Sequence, residues 1–158
     1  MNTESRQEMI SEKFFAELRD TFFFQLHRIQ KAIFRRGNHI FQEAKVPLQL
    51  EQFPILLTAH AMEGLSQQEI ADVTHRDKSS IQRTLGTLEK KGLIKIVQDA
   101  NDKRRNLIYV TDGGKYLAER IKELMKQAEQ ETFAVLSEEE RNAAIGSIKE
   151  IADRLEKN

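Results

Sequence analysis

Apolar positions recur along the chain at helical spacing over most of its length. From about residue 9 to 44 the pattern predicts one long helix. Within it Phe22, Leu26, Ile29 and Ile33 fall at i, i+4, i+7 and i+11, which is one helical face. Phe22, Phe23 and Phe24 are consecutive, so at about 100° per residue they point in three directions. A helix apolar on more than one side needs more than one surface to pack on: a core and a second subunit, or a buried ligand pocket. A bend is expected near Gly37, and Val46-Pro47 ends the pattern. A second helix is expected from about Leu50 to Ala61, with Phe53, Leu56, Leu57 and Ala61 inward and a stop at Gly64. Pro54 sits near its first turn, where a missing N–H costs little.

Ser66-Gln67-Gln68-Glu69 has the form of a capping box, so a short helix follows over Gln67 to Val73, with Leu65, Ile70, Ala71 and Val73 inward. Thr74-His75-Arg76-Asp77 reads as a turn. The next helix runs from about Lys78 to Lys90 on Ile81, Leu85 and Leu88, and Gly92 closes it. The period then changes. Leu93 to Val97 and Leu107 to Thr111 are β-branched or apolar runs around a polar stretch, and they predict an antiparallel hairpin with a long basic tip. Two helices end the chain. One starts near Asp112 and carries Leu117, Ile121, Leu124, Met125 and Ala128. The other starts after Ser137 and carries Ala144, Ile145, Ile148, Ile151, Ala152 and Leu155. Glu138, Glu139 and Glu140 suit the positive end of that last helix.

The 158 residues favour one domain with room for a core. There is no cysteine, which excludes disulfides, thiolate metal sites and thiol nucleophiles. No apolar run approaches a membrane span, and the first residues are polar, so the cytoplasm is the expected location. Net charge is zero, but it is unevenly spread. Residues 1–64 hold 8 basic and 8 acidic side chains, residues 65–115 hold 10 and 7, and residues 116–158 hold 7 and 10. The basic excess lies in the middle third, where the two short helices and the hairpin fall.

A capped short helix, a tight turn, a second helix with a polar outer face and a hairpin with a basic tip make a winged helix-turn-helix. The second helix must keep Ile81, Leu85 and Leu88 inward, which leaves Ser79, Ser80, Gln82 and Arg83 outward near its N-terminal half. Small hydroxyls permit close approach to DNA, and Gln and Arg match adenine and guanine edges in the major groove. Lys103, Arg104 and Arg105 at the hairpin tip suit phosphate or the negative minor groove. The candidate DNA-contacting set is Ser66, Gln67, Lys78, Ser79, Ser80, Gln82, Arg83, Thr84, Lys103, Arg104 and Arg105. Asp102 is expected to pair with Arg104 or with Arg76 and hold the wing in shape.

Leu65 to Ala71, Asp77 to Ile81, Leu88 to Ile94, Asp102 to Arg105 and Val110 to Gly114 together resemble the MarR/SlyA family of bacterial transcription regulators. The most specific piece is the wing: aspartate, basic residue and arginine, then an apolar strand ending in Thr with Gly following. The resemblance covers nearly the whole chain. It implies a mainly α fold with a small β-hairpin wing. Residues 9–46 and 112–158 would be dimerisation helices around a DNA-binding lobe at 48–111, in a single domain at 1–158. It also implies an obligate homodimer that places one recognition helix and one wing on each half of a near-palindromic operator. Family members often bind small aromatic or phenolic anions between the dimerisation helices and the DNA-binding lobe, and binding usually releases DNA.

The chain departs from several branches of the family. With no cysteine, thiol oxidation is not its switch. His27, His39, His60 and His75 are scattered, unlike the clustered ligands of zinc-sensing members, and the tryptophan of the urate-responsive branch is absent. An organic effector remains, with Phe22, Phe23, His27 and Arg28 as candidate pocket residues; plain core and dimer packing is the competing account of the phenylalanines. No metal and no cofactor are expected. The expected function is that of a homodimeric, DNA-binding transcriptional repressor released by an effector. The alternative is a winged helix used for protein contact without DNA. An enzyme is not expected, because no nucleophile–base pair, carboxylate pair or phosphate loop is visible.

Overall fold

The computed structural model describes residue 16 and residues 18–157. Among these are six helices and a three-stranded antiparallel sheet, and the chain divides at Leu50 into two compact units.

The first unit is built on one helix, α1 (Phe22–Glu43). The helix expected to run unbroken from residue 9 is interrupted where the described chain begins, and residues 9–15 lie outside the described residues. Residues 18–20 form a turn, because the Thr21 hydroxyl donates to the Leu18 carbonyl (2.7 Å) and accepts from the Phe24 N–H (3.4 Å), starting α1 afresh. The helix continues unbroken through Gly37. A Cβ there would lie 2.9 Å from both methyls of Leu50, so the glycine makes a seat for that side chain. Phe22, Leu26, Ile29 and Ile33 form one exposed apolar stripe, and Phe23 and Phe34 are exposed beside it. Arg28, Lys31 and Arg35 fall together on another side, and the segment from Phe22 to Gln42 holds no acidic residue. The even charge count of the first 64 residues hides this, because the acids lie on either side of the segment.

The second unit begins with α2 (Phe53–Ala61), followed by β1 (Leu65–Ser66), α3 (Gln67–Thr74), α4 (Lys78–Lys90), β2 (Ile94–Gln98) and β3 (Asn106–Val110). Then come α5 (Asp112–Phe133) and α6 (Glu138–Glu156). In α2 the buried residues are Ile55, Leu56 and Ala59, whereas Phe53 and Leu57 are half-buried and Ala61 is exposed. Of the residues expected inward only Leu56 is buried, because α2 is apolar almost all round and spacing could not select a side. Its neighbours α3, α5 and β3 do so instead. In α3 the core lies under Ile70 and Ala71, and Val73, beyond that face, is 61% exposed rather than inward.

The sheet has the order β1-β3-β2. The expected hairpin runs in register from Ile94↔Val110 to Gln98↔Asn106. The two-residue β1 adds a third strand through Leu65↔Ile108 and Ser66↔Leu107. Ile55, Leu56, Ile70, Ile81, Leu88, Ile94, Ile108 and Ile121 are fully buried, so helices, sheet and the first half of α5 share one core.

Thr111 locks the hairpin to that core. Its N–H donates to the Leu93 carbonyl (3.0 Å) and its hydroxyl donates to the Gly92 carbonyl (2.7 Å). The same oxygen accepts from the Gly114 N–H (3.1 Å), capping α5. Gly114 is buried in the first turn of α5, where a Cβ would meet the Leu93 carbonyl oxygen at 2.0 Å and Val110 Cγ1 at 2.6 Å. Beyond Ile121 the helices leave the core. No residue of α6 is buried, and Ile145, Ile148, Ile151 and Leu155 are exposed along it. No helix among the described residues is long and apolar enough to cross a membrane.

Candidate nucleic-acid interface

Two helix N-termini and the wing build the polar face of the second unit. At the first, the capping box forms as its spacing predicts. The Ser66 N–H and hydroxyl donate to Glu69 Oε2 (2.7 and 2.6 Å), and the Glu69 N–H donates to Ser66 Oγ (3.3 Å). These bonds from Ser66, and after them Arg105, hold the Glu69 carboxyl below its ordinary value. Ser66 is only 8% exposed, and its polar groups are spent on the cap. Gln67 reaches across the turn, its side-chain amide donating to the Lys78 carbonyl (3.0 Å), and so joins the start of α3 to the start of α4.

The turn between those helices passes through His75, which adopts φ +50°, a left-handed conformation at a residue other than glycine. The Arg76 guanidinium donates to the Glu51 carbonyl (2.8 Å), which places it against the approach to α2 and not on the wing. Asp77 then caps α4, accepting from the Ser80 N–H (2.8 Å).

Along α4 the inner face holds Ile81, Thr84, Leu85 and Leu88. Thr84 is 8% exposed, one turn beyond Ile81 on the same face, so it does not reach the outer surface that the sequence reading gave it. Lys78, Ser79, Gln82 and Arg83 are exposed, and Ser80 is half-buried. The side chains of Gln82 and Arg83 make no hydrogen bond or ion pair among the described residues. The outer face is therefore narrow: a lysine, small hydroxyls, one amide and one guanidinium.

The wing tip is a shaped loop. Asp102 neither pairs with the Arg104 guanidinium nor with Arg76. Its carboxylate accepts from the Arg104 backbone N–H (2.9 Å), and its carbonyl accepts from the Arg105 N–H (2.9 Å). The reason is proximity, since a short side chain in a tight turn reaches its own backbone two residues on more easily than a distant cation. The Asp99 N–H donates to the Arg105 carbonyl (2.9 Å), Asp99 Oδ1 accepts from the Asn101 N–H (2.8 Å), and the Gln98 amide donates to the Lys103 carbonyl (2.7 Å). The loop so fixed leaves the Lys103 and Arg104 side chains exposed and without a partner among the described residues. Arg105 differs, because its guanidinium donates to Glu69 Oε2 (3.2 Å). Sequence reading missed this ion pair because 36 residues separate its partners.

The four candidate pocket residues all lie on the first turns of α1 and are all exposed. Phe22 and Phe23 meet edge to face with ring centroids 6.3 Å apart. Arg28 donates to Gln25 Oε1 (3.0 Å) and lies about a third of a turn from Phe22, so the four do not share one face. Among the described residues no three His, Asp or Glu side chains converge as metal ligands.

A profile of the MarR family matches residues 46–105, the stretch from the approach to α2 through the wing tip. A candidate transcriptional regulatory protein for the hcr operon of Thauera aromatica is 35% identical over 88 residues; the match covers 56% of this chain and 53% of that protein's length. Among solved structures, the transcriptional repressor CouR bound to a 23-mer DNA duplex superposes with a TM-score of 0.79 at 28% identity, covering 87% of this chain and 96% of that one. The S. aureus MepR–DNA complex superposes at 0.77 with 26% identity, over 85% of this chain and 98% of its own.

Proposed function

The chain belongs to the MarR family, and from that premise we propose that it is a homodimeric regulator of transcription, not an enzyme, which reads double-stranded DNA. The observation that carries this is the outer face of α4 together with the wing. Ser79, Gln82 and Arg83 stand unobstructed on one, and Lys103 and Arg104 stand unpartnered on the other, in the basic third of the chain. Gln82 and Arg83 offer base-reading geometry in the major groove. Lys78 and the wing cations supply the phosphate or minor-groove contacts. Ser66, Gln67, Asp102 and Arg76 hold this surface in shape through the bonds described above.

The rest of the reading concerns assembly and control. Residues 9–46 and 112–158 are assigned to dimerisation and residues 48–111 to DNA binding, within one domain. The exposed apolar stripes of α1 and α6 support the first assignment, because a second copy of the chain is a partner that can cover them. We assign it the role of a cytoplasmic repressor released by a small aromatic or phenolic effector. The exposed Phe22–Phe23 pair supports that role, with His27 and Arg28 as polar neighbours on the same turns.

Selection of bound duplexes from random DNA, followed by affinity at several salt concentrations, tests this reading. Enrichment of a near-palindrome with half-sites about one helical turn apart, and a steep salt slope, are the expected results. No enrichment and a flat slope would overturn it in favour of a winged helix used for protein contact.

A further inference from the structure

We propose that Arg105 is a positioning residue: through Glu69 it sets the angle of the wing against the helix-turn-helix, and it makes no DNA contact of its own. This rests on the DNA-reading function proposed above.

Both backbone groups of Arg105 and one nitrogen of its guanidinium are already engaged. Its N–H donates to the Asp102 carbonyl (2.9 Å), its carbonyl accepts from the Asp99 N–H (2.9 Å), and its guanidinium donates to Glu69 Oε2 (3.2 Å). The neighbouring Lys103 and Arg104 carry the same charge and have no side-chain partner among the described residues. Glu69 is not a casual acceptor, since the same oxygen takes both donors of Ser66. Ser66 in turn pairs with Leu107 on β3, two residues beyond Arg105. The guanidinium therefore closes a ring that runs from the start of α3 through β1 to β3 and back through Arg105 to Glu69. A hairpin joined to a domain only through its strands is free to swing at its tip, and this ring ties down its root. A guanidinium already neutralised by a carboxylate also releases few counterions on meeting phosphate.

The two roles of Arg105 predict opposite signs for one substitution. Glu69→Gln preserves the capping box. If Arg105 were a phosphate ligand resting on Glu69, removing that negative charge would strengthen DNA binding. If Arg105 positions the wing, the same change weakens it. Glu69→Gln and Arg105→Gln are each expected to lower operator affinity about threefold, the scale of an exposed ion pair, with no further loss in the double variant. Arg105→Gln should leave the salt slope unchanged, whereas Arg104→Gln should reduce it by about one.

A DNA-free measurement separates this inference from the function it rests on. The chain has no cysteine, so Val73→Cys and Asn101→Cys accept spin labels at unique positions on α3 and the wing tip. With labelled protein diluted in unlabelled, pulsed electron paramagnetic resonance should give a narrow distance distribution that broadens in Glu69→Gln and Arg105→Gln. Tighter DNA binding by Glu69→Gln, a reduced salt slope in Arg105→Gln, or an unbroadened distribution each overturns the proposal. If the parent protein selects no duplex, the DNA-reading function fails, and the label distances still decide whether Arg105 holds the wing.

Discussion

The surface made by α4 and the wing contrasts with the surfaces of α1 and α6. Around α4 the backbone is capped, the loop carbonyls are bonded, and Ile81, Leu85 and Leu88 beneath are buried, so apolar exposure is confined to single residues such as Val73 and Val97. Along α6 not one residue is buried, and along α1 Phe23 is 74% exposed within a row of exposed isoleucine, leucine and phenylalanine. One region is finished within a single chain. The others carry apolar stripes that an isolated helix cannot bury, and helices gain most of their stability from packing such a face. The chain thus combines a lobe that buries most of its own apolar side chains with helices whose apolar stripes are left uncovered.

The strongest way to break that contrast is to charge the α6 stripe. Ile148→Glu should turn a dimer into a monomer in analytical ultracentrifugation. Burying an unpaired carboxylate there costs on the order of 3–5 kcal/mol, or roughly 10²- to 4 × 10³-fold in dimer affinity. Ala143→Glu, on the side of α6 opposite the stripe, should leave the dimer intact. An unchanged mass for Ile148→Glu would show that α6 is not an interface.

The reverse effect is expected inside the lobe. Gly114→Ala drives a methyl to 2.0 Å from the Leu93 carbonyl oxygen, which is backbone and cannot step aside. Overpacking of this kind costs about 1–3 kcal/mol. A lower urea midpoint with an unchanged dimer constant is the expected pair of results. A weaker dimer in this variant would mean that lobe and assembly are not separate.

What sequence reading found and missed follows the same line. Local devices were legible because their partners lie three or four residues apart: the Ser66–Glu69 box, the start of α6 after Ser137, and the boundaries Lys78 and Lys90. Long-range and near-uniform features were not. The two residues of β1 are too few to show alternation. The face of α2 is ambiguous in an apolar run. The Glu69–Arg105 pair and the seat of Leu50 on Gly37 depend on where distant segments meet. The partnering of Asp102 was misjudged because an ion pair was expected where backbone bonds lay closer.

The contrast sharpens again within the reading surface, between α4 and the wing. Arg83→Ala should cost about 1–3 kcal/mol on the selected duplex and relax preference at one base pair, if its guanidinium reads a guanine edge. Arg104→Ala should weaken binding evenly across sequences and lower the salt slope by about one. Titrations of matched and mismatched duplexes at three salt concentrations separate the two. Equal behaviour of both variants would dissolve the division between base reading and anchoring.

The smallest expected effect lies at the turn joining α3 to α4. His75 ends α3 at φ +50° and ψ 42°, a conformation that strains any residue with a Cβ by roughly 1–2 kcal/mol. Its N–H bonds back to the Ala71 and Asp72 carbonyls, so the turn itself does not depend on the ring. His75→Gly removes the strain and adds back about 0.5–1 kcal/mol of unfolded-chain entropy. The net expectation is a gain of about 0.5 kcal/mol in stability by urea denaturation, with DNA affinity and dimer constant unchanged. If the turn only joins two helices of a finished lobe, stability alone moves. Should stability rise while DNA affinity falls, the imidazole belongs to the reading surface, which would then extend from α4 back into the turn.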